Sequence, residues 1–452
     1  AMTLTHAGTI TNGHNLTPPD TFNWHGVING SGTFTTLSSS TTTLGGGVAN
    51  TTTGLGLIWQ SNGQVDWTSH DLILNNSMTV GITTGVFNID APSAGDTISG
   101  SGTLINNGTI NKNSNVTTSF DLPLTNAGLL NITAGSDVTL NSGGANNNSG
   151  TLTVDGSLTM DGGQLVLQGG SVVNGSGSIV VTSSDNLTLN TAVVMAPTLT
   201  LTNAGTISNV QNLTVPNVFN WHGSVDGTGL FNTPSSVVTT IGGGVGDATL
   251  NGLAWLHNGT TNWTSHDFVL TGAAAVVTND VGTTFNISVP GGADDIRGGG
   301  SFVNNGTLNK ISAVNTVFNV AFSNGGTVDI QNGSLSFALS HAQGAGITQL
   351  TGGSIVGGTA LNINGGILQG GGGLISTDVN INSGGALGPG LSLGTMNVTG
   401  DVAFNSGGAF NVEVAAGLAS DVLNVTGNVN VNPGAVMNVI AFGGYTGTLA
   451  DN

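Results

Sequence analysis

Between residues 149 and 190 the chain alternates apolar and small polar residues in short runs: "SGTLTV", "GSLTM", "GQLVL", "GSVV", "GSIVV" and "NLTLN". Gly, Asn, Asp or Ser closes each run. Alternation of this kind puts every second side chain on one face of a strand, and the closing residues are those that turn a chain. The run centres recur about every seven residues. No 3.6-residue apolar stripe is present, and Glu, Lys and Arg are too few to dress a helix face.

Strands this short and regular restrict the architecture. A β-sandwich spaces its strands more widely, and a propeller repeats in blades of roughly 40–50 residues. Three short strands per turn of a right-handed parallel β-solenoid give a coil of about 21 residues. At about 4.8 Å per coil, some 20 coils would make a rod on the order of 100 Å long. The expected class is therefore all-β, with Gly at corners, Val, Leu and Ile inward, and Thr, Asn and Ser outward in stacked ladders.

A longer period overlies the short one. "AGTITNGHNLTPPDTFNWHG" at 7–26 returns as "AGTISNVQNLTVPNVFNWHG" at 204–223. "LGGGV" at 44–48 faces "IGGGV" at 241–245, and "INNGTINK" at 105–112 faces "VNNGTLNK" at 303–310. The offset stays between 196 and 198. The expected organisation is one repeat unit over 1–197, a second over 198–385, and C-terminal coils over 386–452. The two ends read as those of a piece of a longer polypeptide. With no polar helical cap in the sequence, the end coils are expected to leave strand edges open.

Composition narrows the function classes. Charged residues are 6% of the 452, against about 25% in an ordinary soluble domain. Lys112, Arg297 and Lys310 are the only Lys or Arg, and the formal net charge is −19. Nucleic-acid binding needs clustered cations, so it is not expected. No run has the ~18–20 apolar residues of a spanning helix, and membrane insertion is not expected. The absence of Cys excludes disulfides, thiolate metal sites and a Cys nucleophile.

The C-terminal stretch carries a family resemblance. "GPGLSLGTMNVTGD", "GGAFNVEV", "DVLNVTGNV" and "FGGY", all within 384–445, resemble the repeats of bacterial autotransporter passenger domains and related large adhesins. The resemblance implies a right-handed parallel β-helix that is exported and displayed outside the cell or at the bacterial cell surface.

Candidate chemistry is sparse. "GLSLG" at 390–394 matches G-x-S-x-G, but no helix follows, so Ser392 reads as a turn residue. Paired carboxylates would serve glycoside hydrolysis, yet Glu413 is the only glutamate. Asp294 and Asp295 are the closest carboxylate pair, with Asp96 and Thr97 at the matching positions of the first copy. They are the candidates for a calcium site, against the simpler reading of a solvated turn; no other cofactor is expected. Sequons such as those at Asn15 and Asn107 follow from composition.

The remaining candidates are the Trp–His segments: Trp24 and His25, Trp67 and His70, Trp221 and His222, Trp263 and His266. Their structural reading is Trp in the coil interior and His at a corner, copied by duplication. Their functional reading is an exposed aromatic platform for glycans or receptors. The leading expectation is a non-enzymatic, self-associating structural protein forming a fibre, stalk or surface layer. An adhesin is the alternative, and a β-helical polysaccharide-degrading enzyme comes last.

Overall fold

The computed structural model describes residues 1–444 apart from 6–7, 48–49, 54–55, 82–83, 91–94, 203, 290, 292–293 and 418. The described residues form 57 strands and no helix. Tyr445 of the "FGGY" element, and all that follows it, lie outside them. Chain packing divides the molecule into two compact units, Ala1–Gly229 and Leu230–Asn452. This division reflects contacts, whereas the break near residue 197 reflects duplication.

Both units are parallel β-solenoids, and every turn contributes strands to stacked parallel sheets. In Ala1–Gly229 one such sheet runs through nine strands, from Met2–Leu4 to Val172–Asn174. Its register shows the coil length directly: Thr109 pairs with Leu129, Leu129 with Thr151, and Thr151 with Val172. Those steps of 20, 22 and 21 residues match the period seen in the sequence. In Leu230–Asn452 one sheet carries two rows of strands per turn. Ala248–Asn251 and Ala254–His257 stack under Phe268–Thr271 and Val276–Asn279. The two rows then fuse in one bent strand, Ile296–Asn304.

Alternation sets burial. Strand after strand has its second and fourth residues buried and the others partly exposed, as in Thr151–Val154 and Thr284–Ile287. The interior is apolar and rich in rings. Trp24 meets Phe34 at 5.4 Å and Trp59 at 5.1 Å between centroids. Farther along, Phe318, Phe322, Phe337 and His341 pack together.

One expectation needs correction. Asparagine was expected on the outer face, and outer ladders do exist, such as Asp66–Asn88–Asn111–Asn131. A second set lies inside. Asn106, Asn126 and Asn148 are fully buried, and each amide donates to the next at 2.6 Å. In the other unit Asn279 donates to Asn304 and Asn304 to Asn324, at 2.7 and 2.8 Å. The amides also donate to strand carbonyls, for example Asn106 to Leu129 and Asn304 to Thr327. A buried amide is tolerated only when satisfied in this way.

Gly follows Asn106, Asn126 and Asn148 two positions on, as Gly108, Gly128 and Gly150. The reason here is space rather than positive φ. A Cβ on Gly128 would lie 2.1 Å from the Gly108 carbonyl oxygen, and one on Gly150 would lie 2.2 Å from that of Gly128. Stacked coils touch backbone to backbone at this corner.

Candidate functional site

All six Trp rings are buried at 0% exposure. A sugar-stacking platform needs an exposed ring face, and none of the six offers one. The two recurring motifs are corner locks. In "WHG", the Trp24 indole N–H donates to the Gly26 carbonyl at 2.8 Å, and Trp221 does the same to Gly223 at 2.8 Å. The Gly is again required by close approach. A Cβ on Gly26 would sit 2.3 Å from the Gly8 oxygen, and one on Gly223 would sit 2.1 Å from that of Gly205.

In "WTSHD" the strand ends at the Trp, Trp67 or Trp263, and the next four residues make the corner. His70 and Asp71 therefore lie at a corner and not on opposite faces of a strand. Each residue has its own task. The Trp67 indole donates to the His70 carbonyl at 2.6 Å, and the Trp263 indole donates to that of His266 at 2.7 Å. Thr68 and Thr264 hydroxyls donate to the Leu44 and Ile241 carbonyls of the preceding coil at 2.9 and 3.0 Å. Ser69 and Ser265 hydroxyl oxygens accept the N–H of Gly46 and Gly243 at 2.8 and 2.7 Å. These glycines belong to the duplicated "GGG", so the two motifs are one piece of structure.

His70 and His266 turn the corner in the left-handed region, at φ 64° and 62°. Asp71 and Asp267 then accept the N–H of Thr97 and Asp295, from the following coil, at 2.9 and 2.8 Å. Five residues thus tie three successive coils together. His25 lies against Gly46 and Gly47, within about the distance a Cβ on either would need. The structure brings His25 to the glycines that Ser69 ties to the "WTSHD" corner.

Asp294 and Asp295 sit beside the second of these corners. Burial pushes both carboxyls above the usual range, and the negative charge of Asp267 adds to this; the Val317 N–H, 3.1 Å from Asp295, opposes it for that residue. Arg297 bridges the corner, pairing with Asp247 at 2.6 Å and with Asp267. Among the described residues no group of three or more His, Asp or Glu side chains converges as a metal site. Ser392 lies in a turn between the strands Gly385–Pro389 and Thr395–Val398, with no helix behind it.

Two residues that sequence reasoning treated only as scarce cations prove to be interior. Lys112 and Lys310 are both fully buried. The Lys112 ammonium donates to the Ser114 carbonyl at 2.5 Å and to the Val116 carbonyl at 2.6 Å, and Lys310 donates to the Ser312 carbonyl. Burial lowers the pKa of Lys112 and brings that of Lys310 down to about 8. Their matched place in "NGTINK" and "NGTLNK" was the available signal. His257 and His341 are buried as well, and burial takes both rings to a pKa of about 4. His257 Nδ1 bonds Asn279 at 2.8 Å, at the foot of the inner asparagine ladder. His341 has no hydrogen-bond partner on either ring nitrogen.

A concave surface lies at the last described strands of the second unit. It is a hollow of about 820 Å³ among Phe404, Phe410, Val412, Leu423, Val431 and Met437. Val431 is 70% exposed and Met437 63%.

No family model, no curated protein and no solved structure matches the chain. The β-solenoid repeat fold stands on the structure itself, and the autotransporter resemblance on the motifs of 384–445.

Proposed function

We propose that this protein is an exported structural protein, a β-solenoid subunit of an extracellular or cell-surface fibre, stalk or layer, that associates with copies of itself. The observation that carries this reading is that the repeated Trp–His motifs are structural: all six Trp rings are buried, and the polar residues beside them tie successive coils together. The residues with the most chemistry support the same role: Trp24, Trp67, Lys112 and Lys310 fasten their own corners, while Thr68, Ser69 and Asp71 bind the coils before and after them. The passenger-like motifs and the lack of Cys accord with an exported chain of this kind.

Electron microscopy of the purified protein over a range of concentrations, with and without EDTA, tests the proposal. The expected result is regular filaments with a ~4.8 Å axial spacing that survive EDTA. Loss of filaments in EDTA would assign calcium to the joints. Isolated single particles at every concentration would overturn self-association.

A further inference from the structure

Gln331, Asn332 and Gly333 turn the corner between the strands Thr327–Ile330 and Ser334–Phe337. The backbone on either side of Gly333 is tied to the preceding coil. The N–H groups of Gln331 and Asn332 donate to the Lys310 carbonyl at 3.0 and 3.2 Å, and that of Ser334 donates to the Val314 carbonyl at 3.3 Å. The Gly333 N–H instead donates to the side-chain oxygen of Asn332, its own neighbour, at 2.9 Å. Asn332 is exposed, and its carboxamide lies folded back over the next peptide nitrogen. The carboxamide carbon is one C=O bond, about 1.2 Å, from the oxygen that this nitrogen meets.

That pose sets an electrophilic carbon beside a nitrogen that can attack it, with a five-membered ring as the product. Gly333 brings no side chain to crowd the ring. Holding the reacting groups close to the attack geometry speeds an intramolecular step of this kind. Other parts of the chain have one of the two features. Asn107–Gly108, Asn251–Gly252 and Asn305–Gly306 repeat the dipeptide, but there the glycine N–H donates to the Val80, Thr271 and Asn279 carbonyls at 3.0, 3.1 and 3.0 Å. Asn76 repeats the pose, accepting the Ser77 N–H at 2.8 Å, but Ser77 carries a side chain. Asn332 combines both features. The turn itself does not require it. The matching corner of the first copy reads Thr133, Ala134, Gly135, and Gly135 and Gly333 both turn in the left-handed region, at φ 79° and 59°.

We infer that Asn332 is a site of self-modification, closing a succinimide with Gly333 that water opens to aspartate or isoaspartate. Hydroxide takes the Gly333 amide proton, and the nitrogen forms a bond to Asn332 Cγ. The carboxamide C–N bond breaks, and ammonia leaves with a proton drawn from water, which restores the hydroxide. Water then adds at either ring carbonyl. One water enters, one ammonia leaves, and nothing is oxidised or reduced. Both products add a negative charge, and isoaspartate also routes the main chain through one more carbon. The corner has no room for that carbon, since even a Cβ on Gly333 would lie 2.5 Å from the Val314 carbonyl oxygen. Modification therefore loosens this corner.

The test stores the folded 452-residue chain in mildly alkaline buffer and follows amide-to-acid conversion by peptide mass mapping. A urea-unfolded sample is the reference, in which every Asn–Gly pair is equally free. In the folded chain Asn332 is expected to convert at least about tenfold faster than Asn107, Asn251 and Asn305, because only its geometry is prearranged. In the unfolded reference the four are expected to convert at similar rates. Asn332→Gln, which would have to close a larger ring, is expected to remove the fast conversion. Asn332→Ala, the residue of the first copy, is expected to remove it with no fall in melting temperature. Conversion of Asn107, Asn251 or Asn305 as fast as Asn332 in the folded chain would overturn the assignment. So would an Asn332 that stays intact while the unfolded reference converts.

Discussion

At the scale of single residues, the pentapeptide "WTSHD" is explained by geometry alone, and this separates it from chemistry by experiment. Left-handed φ strains a residue with a Cβ, and Gly relieves that strain. His70→Gly is therefore expected to change the urea midpoint little or to raise it, whereas a histidine serving a ligand or reaction would show its loss elsewhere. Trp67→Phe keeps most of the ring but removes the N–H that satisfies the His70 carbonyl. It is expected to destabilise by about 1–3 kcal/mol. A larger stability loss for His70→Gly than for Trp67→Phe would contradict the corner-lock account.

The buried histidines make a further residue-scale prediction. The rings of His257 and His341 titrate at about 4 in the folded chain. An unfolded histidine titrates at about 6.5, so the unfolded chain takes up protons first as pH falls. Stability is fully present above about pH 6.5, falls between about 6.5 and 4, and levels off below that as far as these rings are concerned. The gap is worth about 3 kcal/mol per ring. Urea midpoints of the wild type and of His341→Phe at pH 7 and pH 4.5 check this. The variant is expected to lose less stability on acidification, and equal losses would argue against the buried neutral ring.

At the scale of elements, what repeats is the corner more than the strand. The strands vary in sequence, but Asn-x-Gly returns at Asn106, Asn126, Asn148, Asn304 and Asn324 of the inner amide columns. Gly128→Ala is expected to destabilise by about 1–3 kcal/mol, since the added carbon would meet a carbonyl oxygen that cannot swing away. Gly169 is a control, because a Cβ there meets nothing within 4 Å. Gly169→Ala is expected to be near neutral in the same melt. Asn126→Ala removes the donor to Asn148 and to the Thr151 carbonyl, and takes away one of the two acceptors of the Asn106 amide. Its expected cost is about 1–3 kcal/mol. The strands and turns behind these predictions were legible from alternation and from Gly, Asn and Ser. That the asparagines point inward follows from the same alternation, since each ends its strand two positions after a buried residue, but polarity argued for the outer face and only the stacked amide partners make burial tolerable.

At the scale of the molecule, charge and association are linked. Two of the three Lys and Arg side chains are buried, and Arg297 is paired with aspartates. The net charge of −19 is thus carried mainly on the outside. Copies that approach one another repel at long range, and salt screens that repulsion within about 10 Å at 0.1 M. Assembly followed by light scattering is expected to speed up between 10 and 300 mM NaCl, as roughly estimated from screening. Slowing over that range would point to contacts held by ion pairs.

The sequence by itself determined the class of fold, because alternation, strand length and a 20–22-residue step are local properties of the chain. It also determined the duplication and the scarcity of charge. Only the tertiary structure decided what the scarce residues do. The Ser69 hydroxyl meets a Gly 23 residues earlier, and the Asp71 carboxylate meets an N–H 26 residues later. Which residue stands over which depends on the exact length of every intervening coil, and one inserted residue would change the partner. Alternation puts Lys112, Lys310 and the inner asparagines on the inward face, but the amide-to-amide columns and the corner bonds that satisfy them follow from the stacking, and no local pattern encodes it.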